Sequence, residues 1–218
     1  MKKLTALVLA ALILATAGTA FANLDDTRAT IAARYSEYRL VIDTDNQLWT
    51  KAEWEATGYK KAKAASFLHA FERQGLHIQM EVQYENNSPG ALVKAQRFTP
   101  DLAIKIKDFK HYFPEIYALI ASPKAEAFAT YRDLTRNFQE AKSPVTMGVV
   151  VKTPPAPGKG GYYTLIAFNV QDEGRLLKDA KYINENTYIR EFTIERIFRS
   201  AAQDALGNGD WTPIKKYF

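Results

Sequence analysis

Hydrophobic and polar positions alternate most regularly over residues 66–85, the period of strands that bury one face. If Gln74 and Gly75 form a two-residue turn, Arg73 pairs with Leu76, Phe71 with Ile78, His69 with Met80 and Phe67 with Val82. One face then carries Phe67, His69, Phe71, Leu76, Ile78, Met80, Val82 and Tyr84. The other carries Glu72, His77, Gln79, Glu81, Gln83 and Glu85, and is expected to face water.

The remaining elements follow from caps, turns and period. Asp25, Asp26 and Thr27 open a short helix over 26–37 that includes Ile31, Arg34 and Tyr35. Residues 38–42 and 47–50 form a hairpin bent at Asp45 and Asn46, and 51–57 adds one or two helical turns before Gly58. After the turn 86–90, strands are expected over 92–98 and 102–107, with Leu102, Ile104 and Ile106 of the second pointing inward. A helical stretch over 109–121 is interrupted at Pro114. Ser122 and Pro123 read as the start of a longer helix striped by Phe128, Tyr131, Leu134 and Phe138. Apolar strands over 145–151 and 162–170 flank the proline- and glycine-rich loop 153–161. A turn at Asp172, Glu173 and Gly174 leads to a last helix capped by Thr193, with Ile194, Ile197, Phe198, Ala201 and Leu206 as its stripe and Gly207 as its stop. The expected class is α+β, an antiparallel meander packed against helices, in one domain or in two small similar halves divided near Ser122.

The first 22 residues follow a different logic. Lys2 and Lys3, an apolar run from Leu4 to Ala17, and small residues ending in Ala20-Phe21-Ala22 make a secretory signal peptide cleaved after Ala22. The run is shorter than the roughly 20 residues needed to span a bilayer. Residues 23–218 are therefore expected to form an exported soluble protein without a transmembrane anchor, periplasmic or released to the medium.

Composition narrows the chemistry. The chain has no cysteine, which excludes disulfides, thiolate metal sites and a thiol nucleophile. Its formal charge is +5, with two of those units in the leader lysines, so nucleic acid is not an expected partner. His69 and His77 project from opposite faces of one hairpin and cannot share a metal, which makes His69 a core histidine. His111 stands between Lys110 and Tyr112 without a carboxylate pair, and no metal or cofactor is expected.

Three groups remain as candidates. Asp43, Asp45 and Glu53 are the acids available for hydrolysis or a hard cation, but a calcium loop begun at Asp43 places Leu48 where glycine is required and Trp54 where glutamate is required. Turn chemistry also explains Asp43 and Asp45. Trp49, Trp54 and Tyr59 can stack on a sugar or anchor a partner, against the alternative that they fill the core. Lys94, Arg97, Lys105, Lys107 and Lys110 can form a positive stripe for an anionic envelope component, against the alternative that they keep strands apart.

Gly158-Lys159-Gly160-Gly161 lacks the leading glycine and the hydroxyl residue of a phosphate loop. The sequence also contains no Gly-x-Ser-x-Gly or His-Glu-x-x-His motif. The leading expectation is a non-catalytic exported protein that binds another envelope protein or an anionic envelope component. The alternatives are an exported hydrolase with an acidic active site and a small-ligand carrier.

Overall fold

The computed structural model describes residues 24–35, 40–57, 64–130, 145–152, 162–198, 200–201 and 212–218. The leader, Tyr59 and the loop 153–161 lie outside these residues.

Helix α1 (Arg28–Arg34) is capped by Thr27, whose hydroxyl accepts from Thr30 N at 3.2 Å. Strands β1 (Leu40–Asp43) and β2 (Leu48–Thr50) make the expected hairpin, and α2 (Lys51–Ala56) follows directly. The hairpin of β3 (Ala64–Arg73) and β4 (Leu76–Tyr84) has the register read from the alternation, including His69 opposite Met80. Gln74 and Gly75 have φ of 50° and 78°, the left-handed geometry that a tight hairpin turn imposes.

Next come β5 (Val93–Pro100), β6 (Ile104–Lys105), a 3-10 turn (Ile106–Asp108), and helices α3 (Phe109–Tyr112) and α4 (Pro114–Ala121). The second half contributes β7 (Ala125–Thr130), β8 (Thr146–Val151), β9 (Tyr162–Asp172), β10 (Arg175–Leu176), β11 (Tyr188–Phe198) and β12 (Thr212–Pro213).

All described strands join one antiparallel sheet in the order β12-β7-β8-β9-β11-β5-β4-β3-β1-β2, with β10 on β9 and β6 on β11. The molecule is thus mostly antiparallel sheet with a few helices against it. Among the described residues, no helix is long and apolar enough to cross a membrane.

Cross-strand partners share a face, so the register traces rows across the sheet. One row runs His69, Met80, Phe98, Phe192, Phe168, Met147 and Ala129; the next runs Phe67, Val82, Gln96, Ile194, Ile166, Val149 and Ala127. These rows form the inner face, closed by Phe109, Phe113, Ile116 and Ile120. Phe98 and Phe192 stack at 4.8 Å, and Phe113 and Phe109 meet Phe192 edge-on at 4.8 and 5.3 Å. Full burial of each phenylalanine contributes about 1.5–3 kcal/mol, so this cluster is the main anchor of the helices. The outer face carries Leu68, Glu81, Arg97, Thr193, Ala167, Gly148 and Phe128 in one row. Its apolar end is a second cluster of Phe128, Val150, Leu165, Ala167 and Ile197.

Several expectations are corrected. The helix expected after Pro123 is strand β7 where described, and Tyr131, Leu134 and Phe138 lie outside the described residues. Ala125, Ala127 and Ala129 face the main core while Phe128 faces the second cluster, so the segment has a strand's period as well. The helix expected from Thr193 is the second half of β11, and helix is described only at residues 200–201. As an interior strand between β5 and β9, β11 buries both faces; it shows a near-continuous apolar run that spacing alone cannot distinguish from a helix. The strand expected over 102–107 shortens to β6, because the chain bends at Asp101 and Leu102, leaving Leu102 exposed rather than inward, and turns at Ile106 toward α3. The first helix ends at Arg34 rather than Glu37, which itself lies outside the described residues.

Candidate functional site

The acids proposed for catalysis are engaged by local structure. Asp43 is buried at the end of β1, where its Oδ1 accepts from Asp45 N at 2.8 Å and Gln47 N at 2.9 Å, while Oδ2 accepts from Trp49 Nε1 at 2.8 Å. The Trp49 indole N–H, then the Gln47 backbone N–H, hold this carboxyl below its ordinary range, and desolvation only partly opposes them. Glu53 is the N3 residue of a capping box: its Oε2 accepts from Thr50 N at 2.9 Å and Thr50 Oγ1 at 2.8 Å, and Thr50 Oγ1 accepts from Glu53 N at 3.2 Å. The Thr50 backbone and hydroxyl donors lower its pKa as well. Both groups are stabilised as carboxylates, whereas a general acid needs a raised pKa. Asp45 is exposed in the same turn.

The tryptophans belong to the packing of this corner. Trp54 is fully buried, edge-on to Phe67 at 5.4 Å, with the Arg28 guanidinium 4.4 Å from the Phe67 ring centroid and 5.7 Å from that of Trp54. Trp49 is half-buried and serves Asp43.

The five cations do not form one compact patch. Lys94 sits at a β-bulge of β5, and Arg97 pairs with Glu81 on β4. Lys105 lies beyond β5 along the same edge of β11, opposite Tyr188, whereas Ala95 beside Lys94 lies opposite Glu195. Seven residues of extended strand separate those two points, about 23 Å. Lys105 rests on the Tyr188 ring at 5.4 Å, Lys110 rests on Tyr117 at 5.1 Å, and Lys107 is exposed in the 3-10 turn.

The outer face of β3, β4 and β5 holds the polar groups that do assemble. Ser66 Oγ donates to Glu81 Oε1 at 2.6 Å, and Arg97 Nη2 donates to Glu81 Oε2, so one buried carboxylate ties three strands together. This corrects the expectation that the whole acid and amide face meets water. Thr193 and Glu195 of β11 are buried beside the network. Their assignment to a helix hid them from sequence reasoning, and only their alternation with Phe192 and Ile194 could have revealed them.

Toward the hairpin end the same face opens into a groove of about 550 Å³, lined by Ala70, Phe71, Glu72, His77, Ile78, Gln79, Thr99, Pro100 and Asp101. Ala70, Gln79 and Thr99 form one cross-strand row, and Glu72 stands opposite His77. Asp101 N donates to His77 O at 2.9 Å and His77 N donates to Asp101 Oδ1 at 3.2 Å, which fixes Asp101 at the rim.

On the inner face, His69 is buried close to Tyr35, their ring centroids 6.0 Å apart. Burial pushes its pKa down to about 4, which keeps the imidazole neutral in the folded protein. Among the described residues, no group of three or more histidine, aspartate or glutamate side chains is placed to hold a metal ion. Comparison of the chain with protein-family profiles, curated proteins and solved structures returns no match.

Proposed function

We propose that this is an exported, non-catalytic binding protein whose working surface is the outer face of β3, β4 and β5. Another envelope component is the proposed partner. The observation that carries the reading is how the acids are used: Asp43 and Glu53 give their oxygens to donors of their own turn and helix end. The groove beside Glu72 and Asp101 instead offers concave, accessible surface that combines polar side chains with apolar floor. The leader supports export, and mass measurement of the protein recovered from the envelope of its native host should find a chain beginning at Asn23.

The competing hydrolase reading is tested with the purified protein on ester, glycoside and peptide substrates. No turnover is expected. Turnover that disappears in Glu53→Gln would overturn the binding reading.

A small-ligand carrier is the second reading, and one observation favours it. Gln96 is fully buried on the apolar inner face, and among the described residues neither its Nε2 nor its Oε1 has a hydrogen-bond partner. The stacked phenylalanines of the neighbouring row weigh against it, because they occupy the space between sheet and helices. Native mass spectrometry of protein from its own cell decides: extra mass supports the carrier, and bare chain mass opposes it.

The sheet also supports reading the fold as two related halves. With the division placed before α4 rather than near Ser122, each half has a helix before its meander, α1 before β1 and α4 before β7, and the halves meet antiparallel at β5 and β11. A two-fold axis through that join would relate β1-β3-β4-β5 to β7-β8-β9-β11, while β2 and β12 flank them from different points of the chain.

A further inference from the structure

We propose that the groove at the hairpin end of the outer face receives a lysine or arginine side chain presented by the partner, an inference that rests on the reading of that face as a binding surface. The shape comes from the cross-strand row. Ala70 brings only a methyl group beside Gln79 and Thr99, so the sheet is hollow there, and larger side chains stand around it. The charge comes from Glu72 and Asp101. Asp101 is held at the rim by two hydrogen bonds with the His77 backbone, its own N–H donating to His77 O and its Oδ1 accepting from His77 N.

The chain's own cations near the groove are committed elsewhere. Arg73, next to Glu72, donates to both oxygens of Glu115 at 2.7 and 3.0 Å, with its guanidinium 6.0 Å from the inner-face Phe113 ring. Arg97, on the next row of the outer face, pairs with Glu81. Among the described residues, neither Glu72 nor Asp101 belongs to an ion pair. The groove therefore carries local negative charge on a chain whose formal charge is +5.

The lining matches the anatomy of a long basic side chain. The Ala70 methyl and the strand backbone at Phe71 and Ile78, whose side chains turn to the inner face, form the floor for a methylene stem, while Glu72, Asp101, Gln79 and Thr99 offer oxygens to its charged head. An anionic group entering the same space would meet the like charges of Glu72 and Asp101, while among the described residues the nearby Arg73 and Arg97 are turned to other carboxylates.

The test is amide-resolved NMR titration of the purified protein with tetralysine, using tetraglycine and tetraglutamate as comparison probes. Tetralysine is expected to shift the amides of Ala70, His77, Gln79, Thr99 and Asp101, with an affinity that falls as salt is raised. Glu72→Gln combined with Asp101→Asn should weaken binding about tenfold, the product of two exposed charge pairs. Asparagine keeps an oxygen for the His77 N–H, and an unchanged thermal midpoint would verify that the double variant is folded.

Tetraglycine moving the same amides as strongly as tetralysine, with no loss in the double variant, would overturn the cation preference while leaving the face a binding surface. Silence of the groove amides toward every probe up to about 10 mM, the range of weak surface contacts, would overturn both.

Discussion

His69 stands directly opposite Met80 on the row that continues through Phe98 and Phe192. Its imidazole is thus part of an apolar layer, and charging it in place means bringing an ion into that layer. The unfolded chain takes up this proton near pH 6.5, whereas the folded protein resists it until about pH 4. The folded pKa is depressed, so the contribution to stability is fully present above the unfolded value and is lost as pH falls from about 6.5 toward 4. The loss approaches about 3 kcal/mol. Denaturant midpoints measured across this range should fall in the wild type and flatten in His69→Leu; equal slopes for the two proteins would contradict the assignment.

Thr50 is the pivot of the corner between β2 and α2, giving and receiving the hydrogen bonds of the capping box with Glu53. Thr50→Ala removes the cap oxygen and is expected to cost about 1 kcal/mol, while Thr50→Ser should cost much less. Equilibrium unfolding of the two variants checks this, and equal stability would remove Glu53 from its structural role.

Glu81 is the buried member of the outer-face network, and Arg97 is its countercharge. Arg97→Gln leaves the carboxylate inside without its guanidinium and is expected to destabilise by about 3 kcal/mol. Adding Glu81→Gln should recover much of that loss, since an uncharged amide no longer needs the cation and can still meet Ser66. Denaturant titration of the two single variants and the double variant gives the coupling directly. Strict additivity would show that the pair does not act as a unit.

What could be read in the chain beforehand follows from where tertiary context enters. The β3–β4 hairpin was legible because one-sided burial imposes alternation and Gln74-Gly75 sets the register, so local and long-range signals agree. The β1–β2 hairpin was legible through the bend at Asp45 and Asn46, and α2 through its place before Gly58, whereas the Thr50 cap that starts it emerged only in the structure. β7 and β11 were not legible. Ala125, Ala127 and Ala129 have little intrinsic strand preference, and Ile194, Ile197 and Phe198 fit a helical stripe until β5 and β9 close on both sides of them. The polar face was foreseen as a surface, but the burial of Glu81 was not, because it depends on Ser66 and Arg97 converging from the two neighbouring strands.

Gln96 provides the sharpest single-residue test of the interior. It lies between Val82 and Ile194 on the inner face with zero exposure, and among the described residues its amide Nε2 and Oε1 have no hydrogen-bond partner. A buried amide that gains nothing from its polar atoms carries their desolvation as a penalty of about 1–3 kcal/mol. Methionine has nearly the same length and flexibility without that penalty, so Gln96→Met should raise the unfolding midpoint. The same substitution in protein freshly isolated from its native cell distinguishes an empty interior from a loaded one. Stabilisation means that the amide serves no partner, as the binding reading requires. A loss of stability, together with disappearance of any added mass in native spectra, would assign the amide to a bound molecule and turn the argument toward the carrier.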